Sequence, residues 1–466
     1  MIKKIITIIL LLVSIISIFL AIHSSMLPTL YIIALSIFYL ISIILIYFLL
    51  TKTNKIFTIL SIILTSIIII ISIGVSFVFL KADHILNKIT DVDKEINNYS
   101  VIVLKDSEYE ELNDINNKEI GILEEFDSNY KKALNELQNK VDITKKEYSN
   151  ALELANNLLS ENIEVILLNE NYISILDEGL TDFENKTKVL YTIEITTDKK
   201  TETFKKINMD EDSFNIYISG IDTYGSINTV SRSDVNIIAT INPNTSKILL
   251  TSIPRDMYVP LYGKSGLNDK LTHAGVYGID TSIKTLENFL DTDIDYYVRI
   301  NFNSLISLVD YIGGIDVYSD YEFKAGNRIY KKGLNTNLTG EEALAFSRNR
   351  YAFSDGDRQR GRNQEKVIEA IINKVTESKD INTYLNLVST LEKNFQTNMS
   401  KDNIQEIINK QIENNYNWNI TSIDVNGYDH MDYTYSYPWQ KLYVMQVDTD
   451  SLNKAKLEIN NALNEN

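Results

Sequence analysis

The sequence contains no cysteine, which excludes a disulfide framework, a zinc–thiolate site and a cysteine nucleophile. Histidine is scarce as well: the four residues, at 23, 84, 273 and 430, are scattered and show no metal-ligand spacing. A Ser-His-Asp relay would have to use His273 or His430, and no nucleophile-elbow motif accompanies either residue. The sequence therefore disfavours chemistry based on sulfur or imidazole.

Basic residues are outnumbered by acidic residues, 45 to 62, and the formal net charge is −17. Because the first 80 residues carry four lysines and no acidic residue, the remaining chain carries −21. This charge argues against general nucleic-acid binding, which needs basic surface to neutralise phosphates. It also makes any local cluster of arginines more notable, because such a cluster opposes the overall sign.

Three long apolar stretches occupy the beginning of the chain: residues 5–22, 26–50 and 56–80. Each is long enough to cross a bilayer core of about 30 Å. The loop at 51–55 is basic and the turn at 23–25 has no lysine or arginine, so the positive-inside rule predicts a cytoplasmic N-terminus. Three spans then place everything after Leu80 outside the cell. The alternative, three buried core helices, would need a large soluble fold around nearly uncharged sequence.

Three β-branched runs bounded by turn residues predict strands in the middle of the chain: Phe214–Ser219, Val235–Ile241 and Ile248–Ile253. The turn residues at 242–244 predict an antiparallel hairpin between the second and third runs. In that register, Asp234 lies roughly opposite Pro254 and Arg255. Asp222 follows the first run, and Arg232 precedes Asp234 by two residues. If the first two strands are antiparallel, these four charged residues converge at one sheet edge.

This predicted cluster of two carboxylates and two guanidiniums has a recognisable chemistry. Carboxylates suit Mg²⁺, which takes few protein ligands and leaves positions for phosphate oxygens. Arginines suit the phosphate itself, through bidentate hydrogen bonds. The alternative is a set of solvated loop charges that form weak surface ion pairs.

A second basic cluster favours the phosphate interpretation, because five arginines occur within the fifteen residues 348–362. Arg348 and Arg350 share a face only if their segment is extended, since side chains two apart diverge on a helix. A purely structural ion-pair network is the alternative for this cluster.

The apolar spacing after residue 366 predicts a helix that extends back to Asp357. Such a helix stacks Asp357, Arg360 and Gln364 in one stripe and turns Arg358 and Arg362 elsewhere, towards solvent. The stripe therefore adds one arginine and two polar side chains to the predicted phosphate site.

The domain organisation follows from changes in composition and pattern. Residues 1–80 predict three transmembrane helices, 81–98 a stalk, 99–205 an accessory α/β domain and 211–460 a catalytic domain. The accessory domain, in which 127–160 predict one long helix, is either a binding unit or a rigid spacer. Strands alternating with helices after residue 211 predict an α/β fold, an α-β-α sandwich with a mixed central sheet.

Two helix starts are predicted in that domain from local sequence. Asn303 can cap a helix that ends at Gly313 and Gly314. Thr339 to Glu342 form a capping box that opens a helix through about Phe346.

Taken in order, the motifs resemble the LytR-CpsA-Psr family of cell-wall glycopolymer transferases, in particular its capsule-type branch. The matching motifs are GIDT at 220–223, RSDV at 232–235, SIPRD at 252–256, KLTHA at 270–274, INFNSLISLVDYIGGIDV at 300–317, LTGEEALAFSRNRY at 338–351 and GDRQRGRNQ at 356–364. The resemblance covers about residues 211–460, and three spans with an accessory domain also fit this branch.

The resemblance implies a membrane-anchored phosphotransferase on the extracellular face of a Gram-positive-type envelope. Its donor would be a glycan on polyprenyl pyrophosphate and its acceptor peptidoglycan. Asp222 and Asp234 would hold Mg²⁺ against the pyrophosphate, and Asp357 would position Arg360 or assist proton removal from the acceptor. The residues implied to bind the pyrophosphate oxygens are Arg232, Arg255, Lys270, Arg348, Arg350, Arg360 and Gln364.

One position departs from the family pattern, in which an arginine often stands directly before the glutamine. Here Asn363 precedes Gln364, and Arg362 could supply the missing contact if the helix begins late. Two other functions remain open at this point. The same residues could cleave a lipid-linked pyrophosphate with water, or the chain could be a non-catalytic lipid-binding regulator of the envelope.

Overall fold

The computed structural model describes residues 2–23, 27–52, 54–90, 94–124, 127–180, 182–198, 207–221, 226–377, 384, 387 and 395–465. In these ranges, three helices are long and apolar enough to cross a membrane: α1 Ile2–His23, α2 Thr29–Thr51 and α3 Lys55–Thr90. Many of their apolar side chains face outward; Leu30 is 71% and Ile70 is 70% exposed. Such surfaces suit a lipid environment. The predicted apolar helices are confirmed, and α3 continues into the segment predicted as a stalk.

A small α/β unit follows, built on a sheet whose strand order in the described residues is β3-β2-β4-β1-β5. Its strands are β1 Lys94–Leu104, β2 Lys118–Leu123, β3 Ile143–Tyr148, β4 Val165–Asn169 and β5 Thr187–Asp198. Its helices are α4 Ser128–Gln138, α5 Ala151–Leu159, α6 Glu170–Gly179 and α7 Phe183–Lys186. We call residues 94–198 the accessory unit.

The prediction of one helix over 127–160 is wrong, because strand β3 separates α4 from α5. This strand pairs in parallel with β2 at the edge of the sheet. Its lysines, the exposed Lys145 and the half-buried Lys146, give it a helix-like composition, and its buried Tyr148 fits the helical spacing only by coincidence. Lysines on an edge strand block pairing with other chains, which explains polar residues in a β-strand here.

The large unit that follows, residues 207–465, contains a mixed sheet with the strand order β16-β11-β6-β7-β8-β17 among the residues described. Its strands are β6 Phe214–Ile221, β7 Ser233–Asn242, β8 Lys247–Ser252, β9 Tyr258–Val259, β10 Asp269–Lys270, β11 Tyr296–Ile300, β12 Ile315–Ser319, β13 Phe323–Ala325, β14 Arg328–Tyr330, β15 Gly333–Leu338, β16 Phe395–Thr397, β17 Asn419–Asp424, β18 Gly427–Asp432 and β19 Leu442–Val447. Its helices are α8 Leu271–Ala274, α9 Ile279–Leu290, α10 Phe302–Tyr311, α11 Gly340–Arg348, α12 Asp357–Thr376, α13 Lys401–Asn414 and α14 Thr449–Asn464.

Helices cover both faces of this sheet, which confirms the predicted α-β-α sandwich. On one face, Leu286 of α9 and Ile459 of α14 share a buried cluster with Ile238 of β7. On the other face, Ile368 of α12 packs against Ile237. The alternation of neighbouring β7 residues between the two clusters is the expected result of the period of two in a strand.

The predicted hairpin is present and its register places two charged residues together. Strands β7 and β8 pair antiparallel with Ile237 opposite Ser252, and the same register continued outward puts Asp234 opposite Arg255. Strand β6 is antiparallel to β7, as the predicted convergence required. The ends of these strands form the edge at which the site is built.

Two helix starts near the site can be compared with their predictions. The cap of α10 is Asn301 rather than Asn303, since its side chain accepts a hydrogen bond from the Ser304 backbone N–H at 2.9 Å. The prediction at Asn303 failed because two asparagines flank Phe302 and only the first lies outside the helix. The cap of α11 is Thr339, as predicted, in a capping box with Glu342.

Candidate functional site

A cleft of about 300 Å³ opens at the ends of β6 and β7, between the sheet and helices α10, α11 and α12. The charged and polar residues that line it are Arg232, Asp234, Arg255, Arg348, Arg350, Arg360 and Gln364. The apolar residues that line it are Ile221, Val235, Ile300, Phe302, Leu305 and Leu344. The cleft therefore offers positive charge and an apolar surface to the same ligand.

The floor of the cleft depends on a close approach of β6 and β7 at Gly220. A Cβ atom there would lie 2.6 Å from Cγ2 of Val235, so a larger residue would force the two strands apart. Val235 itself lines the cleft. The glycine of the GIDT motif is thus explained by packing beneath the site.

Asp234 lies among the arginines of the cleft. Its Oδ2 accepts a hydrogen bond from Nη1 of Arg255 at 2.7 Å, and its Oδ1 accepts one from Oγ1 of Thr272 at 3.1 Å. Burial by itself would raise the pKa of Asp234, but the surrounding arginines, first of all Arg255, outweigh burial and lower the pKa to about 2. The carboxylate is therefore ionised at neutral pH.

Arg348 and Arg350 form the rim of the cleft. Arg348 is the last residue of α11, and the extended backbone of Asn349, with ψ of 124°, separates it from Arg350. The sequence analysis predicted that Arg348 and Arg350 share a face only if the backbone between them is extended. The structure meets this condition. The guanidinium of Arg348 lies 4.1 Å from the ring centroid of Phe302, and Arg350 donates to the Tyr351 hydroxyl at 2.9 Å.

Helix α12 presents Arg360 and Gln364 to the cleft from successive turns. The two other arginines of this stretch point away, as predicted, but they bind protein groups rather than only solvent. Arg358 donates to the backbone carbonyl of Gly427 at 2.6 Å, and Arg362 pairs with Asp355 at 2.8 Å.

Arg362 does not supply the arginine that the family pattern often places before the glutamine. The helix begins at Asp357, which turns Arg362 towards Asp355, whereas Asn363 is buried and donates to the backbone carbonyl of Phe346 at 3.4 Å. The suggestion that Arg362 substitutes is therefore wrong, because it required a later start of the helix.

Two of the predicted residues cannot be placed fully. Asp222 lies outside the residues that the structure describes, and so does the side chain of Asp357, although its backbone begins α12. Their predicted roles, metal binding for Asp222 and positioning or proton removal for Asp357, stay predictions.

Arg232 and Lys270 were both predicted to bind the pyrophosphate, but in the structure both bind a carboxylate of the protein, Glu178. Arg232 lines the cleft, but its Nη1 is bound at 3.0 Å by Oε1 of Glu178 in the accessory unit. Lys270 does not line the cleft; its Nζ lies 2.7 Å from Oε2 of Glu178 and 3.2 Å from Oδ1 of Asp256. Sequence reasoning missed Glu178, which belongs to no motif and lies in a helix of ordinary polar composition.

The donor set can be tested for a magnesium ion. No group of three or more His, Asp or Glu side chains that could hold a metal ion occurs in the described part of the chain. Mg²⁺ does not need one, because it is commonly held by one or two carboxylates together with water and phosphate oxygens. Asp234 is the one carboxylate among the described residues that line the cleft, and its ionised state meets this requirement.

Comparison with known proteins gives matches over this region. The sequence pattern of the LytR_cpsA_psr family matches residues 181–459. The polyisoprenyl-teichoic acid–peptidoglycan teichoic acid transferase TagU of Bacillus cereus is 39% identical over 188 residues, which are 40% of this chain and 60% of the relative. TagU of Bacillus subtilis is 36% identical over 212 residues, 45% of this chain and 68% of the relative. The chain thus spans about 60% of the length of the Bacillus cereus relative.

Solved structures also match. The crystal structure of Bacillus subtilis TagU has 31% sequence identity, covers 55% of this chain and 99% of its own, and gives a TM-score of 0.43. A structure of TagT bound to LI-WTA has 30% identity, covers 56% of this chain and 94% of its own, and gives a TM-score of 0.45.

Proposed function

Because the chain belongs to the LytR_cpsA_psr family, whose pattern covers residues 181–459, we propose that it transfers a glycopolymer from a polyprenyl-pyrophosphate carrier to peptidoglycan. The family predicted from the motifs is confirmed by this match. The TagU relatives are named as transferases of teichoic acid to peptidoglycan, which supports an acceptor in the cell wall. The proposal extends that activity to this chain.

The observation that carries the proposal is that five arginines and several apolar residues line one cleft. A polyprenyl pyrophosphate combines the same two kinds of chemistry, with charged oxygens at one end and a hydrocarbon chain at the other. We place the pyrophosphate against Arg255, Arg350 and Arg360, and the first isoprene units along Phe302 and Leu305. Guanidinium groups bind phosphate oxygens through paired, charge-assisted hydrogen bonds.

In the proposed reaction, a hydroxyl oxygen of the acceptor forms a bond to the phosphorus that carries the glycan. The bond from this phosphorus to the bridging oxygen breaks, and that oxygen keeps the bonding electron pair as polyprenyl phosphate leaves. The hydroxyl proton passes to a carboxylate base, for which Asp357 stays the predicted residue. Phosphoryl transfer depends on positioning and on neutralising charge in the transition state. Arg255 follows strand β8 and Arg360 lies on helix α12, and both line the cleft. The two arginines are therefore placed to position the pyrophosphate and to neutralise its charge.

We propose Mg²⁺ as the cofactor, with Asp234 and Asp222 as its protein ligands. When bound, the metal would neutralise charge on the pyrophosphate oxygens and make polyprenyl phosphate a better leaving group. Asp234 is suited to the role because its pKa is lowered to about 2, so it carries its charge throughout the physiological range. Asp357 stays the predicted residue for positioning Arg360, which lies three residues later on the same helix.

The apolar helices α1 to α3 are proposed to anchor the chain with its large unit on the extracellular face. Both substrates of the proposed reaction are attached to the envelope, one to the lipid and one to the wall. Tethering the enzyme to the same membrane raises the effective concentration of the donor at the cleft.

The test uses the full chain in detergent micelles with Mg²⁺, a labelled polyprenyl-pyrophosphate oligosaccharide and uncrosslinked peptidoglycan strands. We expect label on peptidoglycan, and we expect Asp234→Ala to abolish it. Asp402→Ala is the matched control, because Asp402 is an exposed aspartate of the same unit on α13.

The product distinguishes the proposed function from its alternatives. Label released as free glycosyl phosphate would identify a hydrolase. Retention of the lipid with no turnover would identify a binding protein without catalysis. Either result, with the control variant behaving as wild type, would contradict the transferase proposal.

A further inference from the structure

Glu178 brings the accessory unit into contact with the wall of the cleft. It lies in the last turn of α6, and its two carboxylate oxygens bind two different cations of the large unit. Oε1 accepts from Arg232 at 3.0 Å and Oε2 from Lys270 at 2.7 Å. The three side chains are largely buried, with exposed fractions of 19% for Glu178, 17% for Arg232 and 5% for Lys270.

The end of α6 is held firmly against the large unit at this point. Gln440 donates from Nε2 to the backbone carbonyl of Gly179 at 2.7 Å. The Tyr437 ring packs on the same glycine so closely that a Cβ atom at Gly179 would lie 2.2 Å from the tyrosine Oη. Tyr437 also shares a buried apolar cluster with Leu176 of α6. The carboxylate of Glu178 is therefore delivered by a packed interface and not by a loose surface contact.

A chain of charge contacts leads from Glu178 to the centre of the cleft. Lys270 contacts Asp256 at 3.2 Å, Asp256 lies 3.6 Å from Nε of Arg255, and Arg255 binds Asp234. Burial would raise the pKa of Glu178, but His273 and Lys270 outweigh burial and hold the pKa well below its usual range. The carboxylate is thus charged in the folded protein.

Stability alone gives a poor account of a glutamate at this position. A carboxylate in the last turn of a helix faces the negative end of the helix dipole. Burying an ion pair also removes both charges from water, and apolar residues of similar volume often serve stability as well or better. The geometry instead suits control of Arg232, whose guanidinium carries five N–H donors in a fixed plane. Glu178 occupies one donor, Nη1, while the side chain remains part of the cleft wall.

We propose that Glu178 is a positioning residue of the cleft, which fixes one edge of the Arg232 guanidinium so that its other donors face the pyrophosphate of the substrate. This inference rests on the proposed function, since it assumes a pyrophosphate ligand. It makes the accessory unit a part of the binding site: Lys270 serves as the bridge that holds Glu178 in place, and Arg232 is the group that touches the ligand.

The experiment measures binding of geranyl pyrophosphate to the full chain in detergent micelles by calorimetric titration, with a micelle blank. In Glu178→Gln, one amide oxygen replaces two anionic oxygens, so Arg232 and Lys270 can no longer both be satisfied. We expect about tenfold weaker binding, the lower end of what outer partners contribute at metal sites. Glu184→Gln, an exposed glutamate of α7 in the same unit, is the control and is expected to bind as wild type.

A double-mutant cycle with Arg232→Ala separates positioning from a general structural role. If Glu178 acts through Arg232, the loss caused by Glu178→Gln disappears in the Arg232→Ala background. An equal loss in both backgrounds would overturn the inference. The fitted stoichiometry reports the folded fraction in each variant, so that misfolding lowers the number of sites and not the affinity.

Further outcomes of the binding experiment are decisive as well. Unchanged affinity of Glu178→Gln overturns the inference, and tighter binding overturns it as well, because Glu178 would then compete with the ligand for Arg232. If Glu178→Gln does not fold, Glu178→Asp takes its place, because it keeps the charge but has a side chain shorter by one methylene. Weaker binding by Glu178→Asp again supports the positioning role. Wild-type affinity of Glu178→Asp overturns it. Absence of binding by the wild type would overturn the pyrophosphate site itself, which distinguishes failure of the proposed function from failure of the inference.

Discussion

At the scale of single residues, the arginines of helix α12 differ in whether they line the cleft or are turned away from it. Arg360 lines the cleft on α12, whereas Arg362, two residues later, is turned away and pairs with Asp355. Both carry the same charge on the same helix. Their comparison therefore separates local contact with the ligand from the general electrostatic attraction of a basic helix.

We expect Arg360→Ala to weaken binding of geranyl pyrophosphate to the full chain at least tenfold, because a charge-assisted contact to phosphate is lost. Arg362→Ala should leave affinity within about twofold of wild type and lower the free energy of unfolding by at most about 1 kcal/mol, since its pair with Asp355 is partly exposed. Calorimetric titration and thermal unfolding check both numbers. Equal losses of affinity in the two variants would contradict the observed helix register.

A second residue-scale prediction concerns the buried His273. Burial would lower the pKa of His273, but Asp269, in contact at 2.6 Å, and Glu178 outweigh burial and raise the pKa to about 9. Lys270 and Arg232 contact the same Glu178. Because the folded state holds the proton more tightly than the unfolded state, whose histidine pKa is about 6.5, this stabilisation is complete below pH 6.5.

The stabilisation from His273 is lost as the pH rises from about 6.5 to about 9. We therefore expect the thermal unfolding temperature of the full chain to fall over this range. His273→Gln keeps a polar side chain but cannot gain charge, so its fall should be smaller than that of the wild type. Parallel pH profiles for the two proteins would show that His273 is not protonated in the folded chain.

The residues that sequence analysis placed together are those whose proximity has a local cause. Asp234 and Arg255 are linked by one hairpin, so counting register from its turn was sufficient. Sequence analysis missed Glu178 because its partners, Arg232 and Lys270, are 54 and 92 residues away along the chain. Only the docking of two units brings these residues together. No periodicity or turn signal in a sequence encodes such a contact.

At the scale of elements, the rim of the cleft depends on how closely α11 approaches α10. A Cβ atom on Gly340, the first residue of α11, would lie 2.3 Å from the backbone carbonyl oxygen of Ile306 in α10. The two helices supply Phe302 and Arg348, which stack across the rim. Their spacing therefore sets the position of one of the cleft's arginines.

We expect Gly340→Ala to destabilise the protein by about 1–3 kcal/mol through overpacking, although alanine favours a helix over glycine by about 1 kcal/mol. Binding of geranyl pyrophosphate should weaken at the same time, because Arg348 moves with its helix. The neighbouring Glu341→Ala, on the exposed side of the same turn, is the control. A gain in stability for Gly340→Ala would show that propensity outweighs the contact and that α11 can shift freely.

The start of a helix could be predicted where the sequence offers one capping residue, and it could not be predicted where the sequence offers two. Thr339 with Glu342 is an unambiguous capping box, and α11 begins there. For α10, Asn301 and Asn303 have equal capping chemistry, and the register of strand β11, which ends at Ile300, selects the first. The prediction of a long helix over 127–160 was wrong for a related reason. An edge strand that contains lysines has the same polar pattern as a helix, and only pairing with the neighbouring strand distinguishes the two.

At the scale of the whole molecule, the membrane helices are packed against the large unit rather than joined to it by a free tether. Phe79 of α3 shares an apolar cluster with Ile408 of α13, and Lys401 of α13 pairs with Asp83 of α3. The composition of the first 80 residues predicted the helices, but it could not predict this docking. The docking holds the large unit, and the cleft within it, against α3.

Which side that is can be tested directly because the chain contains no cysteine, so a single introduced thiol gives an unambiguous signal. The loop between α2 and α3 contains Lys52 and is followed by Lys55, and basic loops stay in the cytoplasm. We expect Leu457→Cys, on the exposed face of α14, to react with a membrane-impermeant maleimide on intact cells. Thr51→Cys, at the end of α2, should react only after permeabilisation. The reverse pattern would place the cleft in the cytoplasm, away from peptidoglycan, and would exclude the proposed transfer to the cell wall.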